Sequence, residues 1–125
     1  MTAIKLDHVN LRTTQLDKMI VWYTSVLGLS VGARPNFAFA GAWLYAGKSA
    51  LIHLVAIDEL AVGSEASLKL EHMAFCAVDK VTFVANLERL NIAYKASPVA
   101  EFNLIQYNLW DPDGNHIHVD FFDDK

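Results

Sequence analysis

Apolar positions recur along this chain with two periods. Leu16, Met19, Ile20, Tyr23 and Leu27 fall at helical spacing, which predicts an amphipathic helix over Gln15–Leu27 with Thr14 as N-cap. Gly28 follows as a residue suited to the left-handed conformation that ends a helix. Around this helix the pattern alternates, predicting strands at Ile4–Arg12, Ser30–Ala33, Phe37–Tyr45 and Ala50–Ala56. Ala46-Gly47-Lys48-Ser49 reads as a hairpin turn, and Asp58–Ser67 as a polar connection. The same order then returns: a strand at Lys69–Ala77, a helix from about Lys80 to Leu90 ended by Asn91, and strands near Ala93–Ala96, Glu101–Trp110 and His116–Phe122. Asp111-Pro112-Asp113-Gly114 is a strong turn before the last strand.

The return is a true repeat. Leu6-Asp7-His8-Val9-Asn10-Leu11 matches Leu70-Glu71-His72-Met73-Ala74-Phe75, an offset of 64 residues. Leu51-Ile52-His53-Leu54-Val55 matches His116-Ile117-His118-Val119-Asp120 at nearly the same offset. The chain therefore reads as an α+β fold of two βαβββ modules, about residues 3–57 and 68–123, within a single domain 1–125. Each module carries one histidine near its start and another near its end.

Side chains alternate across a strand. Val9 and Leu11, Ile52 and Leu54, Met73 and Phe75, and Ile117, Val119 and Phe121 then face the helices. His8, His53, His72 and His118 share the opposite face, where a divalent metal is their expected common partner. His116 has no repeat partner and is expected at the rim of such a site or outside it. Asn10 shares the His8 face, and Trp43 and Tyr45 can wall a pocket. Of Gln106 and Tyr107 only one faces inward. Arg34 is a candidate for a substrate carboxylate. Asp120 lies one pleat repeat from His118, about 7 Å, as a second-sphere partner or a solvated charge. Each of these has an ordinary structural reading beside the functional one. Cys76 falls on the histidine face, but nothing local marks it as a nucleophile.

Charge and composition narrow the classes. The net charge is −4 and the 10 basic residues are scattered, which argues against nucleic acid as a partner. No apolar run reaches membrane-spanning length. One cysteine excludes an internal disulfide and, with no secretory leader at Met1–Lys5, the expectation is a cytoplasmic protein.

Three stretches carry a family likeness. Leu6-Asp7-His8-Val9, Trp22-Tyr23-Thr24-Ser25-Val26-Leu27-Gly28-Leu29 and Asp111-Pro112-Asp113-Gly114-Asn115-His116-Ile117-His118 resemble the vicinal oxygen chelate superfamily, which includes glyoxalase I, extradiol dioxygenases, and fosfomycin- and bleomycin-resistance proteins. The resemblance implies a cupped, partly open mixed sheet with helices on the outer face, one divalent transition metal (Fe, Zn, Ni or Mn) and a homodimer. His8 and His72 match the family's ligands. His118 and His53 stand where glutamates are usual, so the carboxylate base of glyoxalase I has no counterpart there. The functional expectation is a metal-dependent lyase, isomerase or ring-cleaving dioxygenase acting on a small, oxygen-rich, anionic substrate chelated by the metal. The alternative is a non-catalytic binder of a drug or metabolite, like the bleomycin-resistance proteins.

Overall fold

The computed structural model describes residues 2–3, 5–59 and 70–123. Ile4, Lys69 and most of the expected connection (residues 60–67) lie outside the described residues. The chain divides into two compact units, Met1–Val62 and Gly63–Lys125. Each is a β-α-β-β-β module with its own four-stranded mixed sheet, the α+β organisation expected from the repeat.

The first module runs β1 (Val9–Thr13), α1 (Leu16–Ser25), β2 (Ser30–Gly32), β3 (Gly41–Ala46) and β4 (Ser49–Ala56), in sheet order β1-β4-β3-β2. β1 pairs parallel to β4, and β4, β3 and β2 are antiparallel. The helix buries Met19, Trp22 and Tyr23 against Ala42, Leu44, Ile52 and Leu54, the side of the strands that alternation assigns to it. Met19, Tyr23 and Leu44 are fully buried. Gly28 ends the helix at φ +73° as expected.

Three local expectations shift. Thr14 does not cap α1. The helix begins one residue later at a Gln15 cap whose side chain makes no capping bond, and the Thr13 hydroxyl accepts from the Gln15 N–H at 3.0 Å. β1 is shorter than expected because only Val9–Thr13 finds partners, Ile52–Ala56 of β4. β3 starts at Gly41 rather than Phe37, because the chain turns tightly after Pro35, with Phe37 N–H donating to the Pro35 carbonyl at 2.9 Å.

The second module runs β5 (Met73–Cys76), α2 (Lys80–Arg89), β6 (Lys95–Val99), a 3-10 turn at Ala100–Phe102, β7 (Leu104–Trp110) and β8 (His116–Phe122), in sheet order β5-β8-β7-β6. Leu87, Leu109, Ile117 and Val119 form its core, and Phe83 of α2 sits edge-on to Tyr107 and tilted to Phe121. α2 is capped by the Asp79 carboxylate, which accepts from Thr82 N–H at 3.2 Å, and Asn91 takes φ +59° after its end. β6 lies two to three residues later than expected. β7 loses its first three expected residues because the 3-10 turn and Asn103, at φ +51°, reverse the chain there.

Candidate metal centre

The register of each sheet decides which side chains share the face away from the helix. In the first module Asn10, His53 and Trp43 form one row across β1, β4 and β3. In the second, Ala74, His118 and Asn108 form one row, and Cys76, Asp120 and Gln106 the next. His116 and Trp110 pair at the start of β8. Gln106 therefore lies on the histidine face, while Tyr107 pairs with Val119 and packs toward the helix.

His8 and His72 do not lie in strands. Each sits one residue before its strand begins, where alternation no longer applies, and each reaches the later histidine of its own module. His8 stacks on His53 with ring centroids 3.8 Å apart and planes 8° from parallel, and Trp43 stacks on the other face of His53 at 3.9 Å. His72 stacks on His118 at 3.9 Å and 14°. His116 meets both edge-on, at 5.4 Å from His72 and 4.8 Å from His118, and carries Trp110 against its face at 5.0 Å.

Sequence reasoning left His116 at the rim. The structure puts it in the cluster: His72, His116 and His118 each offer a ligand atom, all within 4.8 Å of one another. It follows directly on the 111–115 turn. The buried Asp111 carboxylate accepts from the Asp113 and Asn115 N–H groups and from Asn115 Nδ2, at 2.9 to 3.0 Å, and Gly114 closes the turn at φ +84°.

Hydrogen bonds sort the ring nitrogens. His8 Nδ1 donates to Asp7 at 2.7 Å, and His72 Nδ1 to Glu71 at 2.6 Å. His116 Nδ1 meets the other Glu71 oxygen at 2.8 Å, and its Nε2 meets Asn108 Oδ1 at 3.0 Å. Asn108 cannot present its nitrogen there, because Nδ2 donates to the Lys95 carbonyl at 2.9 Å. Both nitrogens of His116 thus face oxygen acceptors, and it joins an ion only by releasing one. His53 Nε2 faces the Ala50 carbonyl at 3.2 Å, so it is Nδ1 that keeps the lone pair. His118 is different. It is only 8% exposed, and its Nδ1 is buried without a partner.

Electrostatics follow from these positions. Burial, then the neighbouring His72 and His116, holds the His118 imidazole below its ordinary pKa, against an opposing pull from Asp120 and Glu71. Burial and then His8 act likewise on His53. The hydrogen bond from His8 lowers the Asp7 carboxyl, and those from His72 and His116 lower Glu71.

The donor chemistry fits a transition metal: clustered imidazoles, one with an orphaned buried nitrogen. The ring geometry shows what must move for an ion to enter. Metal–imidazole bonds are about 2.0–2.1 Å and lie near the ring plane, whereas an ion midway between rings 3.8–3.9 Å apart stands about 1.9 Å from each plane. A stacked pair cannot share an ion until one ring turns. His72, with its side chain 37% exposed, has more freedom to turn than His118.

The remaining candidates divide. Asp120 is buried beside this cluster and its Oδ1 has no hydrogen-bond partner. A buried carboxylate oxygen without a partner costs about 1–3 kcal/mol. Asp120→Asn is accordingly expected to raise the melting temperature by a few degrees; a fall of similar size would show that the charge is compensated. Arg34 is engaged elsewhere. Its guanidinium donates to the Phe39 carbonyl at 2.8 Å and lies over the Phe37 and Phe39 rings, clasping the 33–40 loop. Tyr45 donates to the Ala33 carbonyl. Asn10 is exposed on β1. A cavity of about 500 Å³ opens in the second module among Val78, Asp79, Lys80, Asn103, Phe121 and Phe122, and it shares no residue with the histidine cluster.

The model of the Glyoxalase/Bleomycin resistance protein/Dioxygenase superfamily matches residues 5–119, nearly the whole chain. The chain belongs to that superfamily. Solved structures agree on the glyoxalase-type fold. A glyoxylase/bleomycin resistance protein/dioxygenase domain from Frankia sp. EAN1pec is 18% identical with a TM-score of 0.77, over 98% of this chain and 95% of that one. A glyoxalase/dioxygenase from Nostoc punctiforme is 18% identical with a TM-score of 0.78, over 96% and 92%. The fosfomycin resistance protein FosX from Listeria monocytogenes is 13% identical with a TM-score of 0.72, over 98% and 96%. A search of curated proteins gives no match. This superfamily includes metalloenzymes, and in this member the histidine trio brings metal-ligating side chains together. Among the described residues no helix is long and apolar enough to cross a membrane.

Proposed function

We propose that this protein is a metal-dependent enzyme of the glyoxalase/dioxygenase type, acting on a small, oxygen-rich, anionic substrate. One observation carries the reading: His118 is buried with an unpartnered ring nitrogen, against His72 and His116. Buried polar atoms in folded proteins nearly always have a partner, so this nitrogen marks a place for a ligand. His72 and His118 would hold the ion, with His8 and His53 the corresponding pair of the first module. An all-imidazole set suits Fe, Zn or Ni, and admits Mn. Bound there, such an ion supplies Lewis-acid stabilisation of negative charge developing on two chelated oxygens.

The chain's own groups have separate tasks. Trp110 and Trp43 lie flat against histidines and exclude water from one side of each. Asn108 and Glu71 hold His116 in place. Gln106 and Asp120, one row beyond His118, offer a polar contact to substrate. The exposed thiol of Cys76 suits a reducing, cytoplasmic setting. A homodimer is part of this proposal, and its mass in solution tests it.

The stacked rings favour a second reading. Trp43–His53–His8 and Trp110–His116 are aromatic arrays suited to a flat ligand held without chemistry. Elemental analysis of the purified protein decides between them. The enzyme reading expects about one transition-metal ion per chain, lost on chelation and in His72→Ala. Absence of stoichiometric metal after loading overturns it in favour of the binder. If iron is the ion, oxygen uptake with catechols separates a dioxygenase from a lyase.

A further inference from the structure

The repeat contains an acid whose contact with the histidine after it the metal reading leaves unexplained. Asp7 precedes His8 and Glu71 precedes His72. On a strand, neighbours point to opposite faces and could not meet. Here both acid–histidine pairs lie just outside their strands, and each acid folds back onto the histidine that follows it. The contacts are short, 2.7 Å in the first module and 2.6 Å in the second, and both use Nδ1. The two modules thus build the same contact.

We infer that Asp7 and Glu71 are positioning residues that lock His8 and His72 in the Nδ1–H form, so that Nε2 is the nitrogen each ring presents. An ionised carboxylate only accepts, so the facing Nδ1 must carry hydrogen. A neutral ring then has its lone pair on Nε2, pointing away from the acid. A carboxylate behind a ligating histidine fixes both tautomer and ring direction.

The two acids are not equivalent. Glu71 spends its second oxygen on His116 Nδ1, 45 residues along the chain, and His116 is anchored in turn on Asn108 of β7. In the first module Leu51 stands where the repeat places His116, so Asp7 holds one ring only. Glu71 therefore ties the segment before β5 to β8 and β7, while Asp7 acts locally. Both acids are largely exposed, with side chains 82% and 70% accessible, so removing either leaves the fold intact.

The purpose assigned to the clamp rests on the metal reading, but its test does not. Long-range proton–nitrogen correlation spectra of the full, metal-free chain at pH 8 report which nitrogen of each histidine carries hydrogen. In water a free neutral histidine favours Nε2–H. Wild-type His8 and His72 are expected to show Nδ1–H. Glu71→Ala returns His72 to the Nε2–H signature, and Asp7→Ala does the same to His8. Glu71→Gln, with one oxygen left, restores at most one of the two contacts. With Zn2+ as probe, Glu71→Ala is expected to weaken binding about 10- to 100-fold, and Asp7→Ala less. A wild-type Nε2–H signature at His72, or one unchanged in Glu71→Ala, overturns the inference. Locked tautomers in a chain that binds no Zn2+ would uphold the clamp and sink the metal reading instead.

Discussion

His118→Ala lowers affinity for a divalent ion such as Zn2+ at least about a hundredfold, or roughly 2.7 kcal/mol. The reason is the environment of the ring. His118 is anchored mid-strand in β8 between Ala74 and Asn108, so its direction is set by the sheet. His72 has no such support from a strand and His116 is engaged at both nitrogens, so neither replaces it. The fold should tolerate the change, because the loss of packing is offset by removal of an unpartnered buried nitrogen. His118→Glu makes a sharper comparison. It places a carboxylate in the ligand set, and oxygen ligands move preference toward harder ions such as Mn2+. It also sets two acidic side chains one pleat apart, since Asp120 faces the same way, so the metal-free variant is expected to melt lower than wild type. Competition titration against a chromophoric chelator measures both affinities. Zn2+ binding unchanged in His118→Ala would remove His118 from the ligand set.

Much of this arrangement is legible in the sequence. Alternation correctly divides β4 and β8, sending Ile52, Leu54, Ile117, Val119 and Phe121 to the core and His53 and His118 to the other face. The repeat gives the modules, because each copy must build the same sheet to bury the same helix. Gly28 and Asn91 are readable as helix ends because few residues accept a positive φ. What stays hidden depends on contacts distant in the chain. How far β1 extends is decided by where β4 supplies partners, so the sequence could not show that His8 lies outside the strand. The place of His116 depends on Glu71, 45 residues away, and on an Asn108 amide held by β6. Repeat logic discounted His116 because it has no counterpart, yet the cluster of the second module owes its third ring to that asymmetry. Arg34 looked free to bind a carboxylate because nothing in the sequence reveals that Phe39 turns back beneath it. The signal that was available and unused is the acid before each histidine, conspicuous once two copies are aligned.

Acidification is expected to destabilise the metal-free chain as the pH falls through about 6.5. The folded pKa values of His53 and His118 lie below the ordinary value of 6.5, chiefly because burial disfavours the charged ring. Below that value the unfolded chain takes up protons that the folded chain refuses. Linkage then makes stability fall as pH falls, levelling off once the folded-state pKa values are passed. The carboxyls of Asp7 and Glu71 are lowered instead, so what they contribute is present above about pH 4.5 and disappears only in stronger acid. The two effects occupy separate windows and can be read apart. Urea midpoints at pH 7.5 and 5.5 should differ in the wild type and converge in the double variant His53→Gln/His118→Gln. A midpoint that is flat, or that rises on acidification, would show that these rings are not held neutral. With Zn2+ present the slope steepens, because each nitrogen that must lose a proton to bind adds up to about tenfold per pH unit to the loss of affinity below its own pKa. Burial lowers that threshold for His118, so this ring should stay open to an ion at more acidic pH than an exposed histidine would. His118 is thereby both the ring most strained by lacking a partner and the one least easily closed to an ion by a proton.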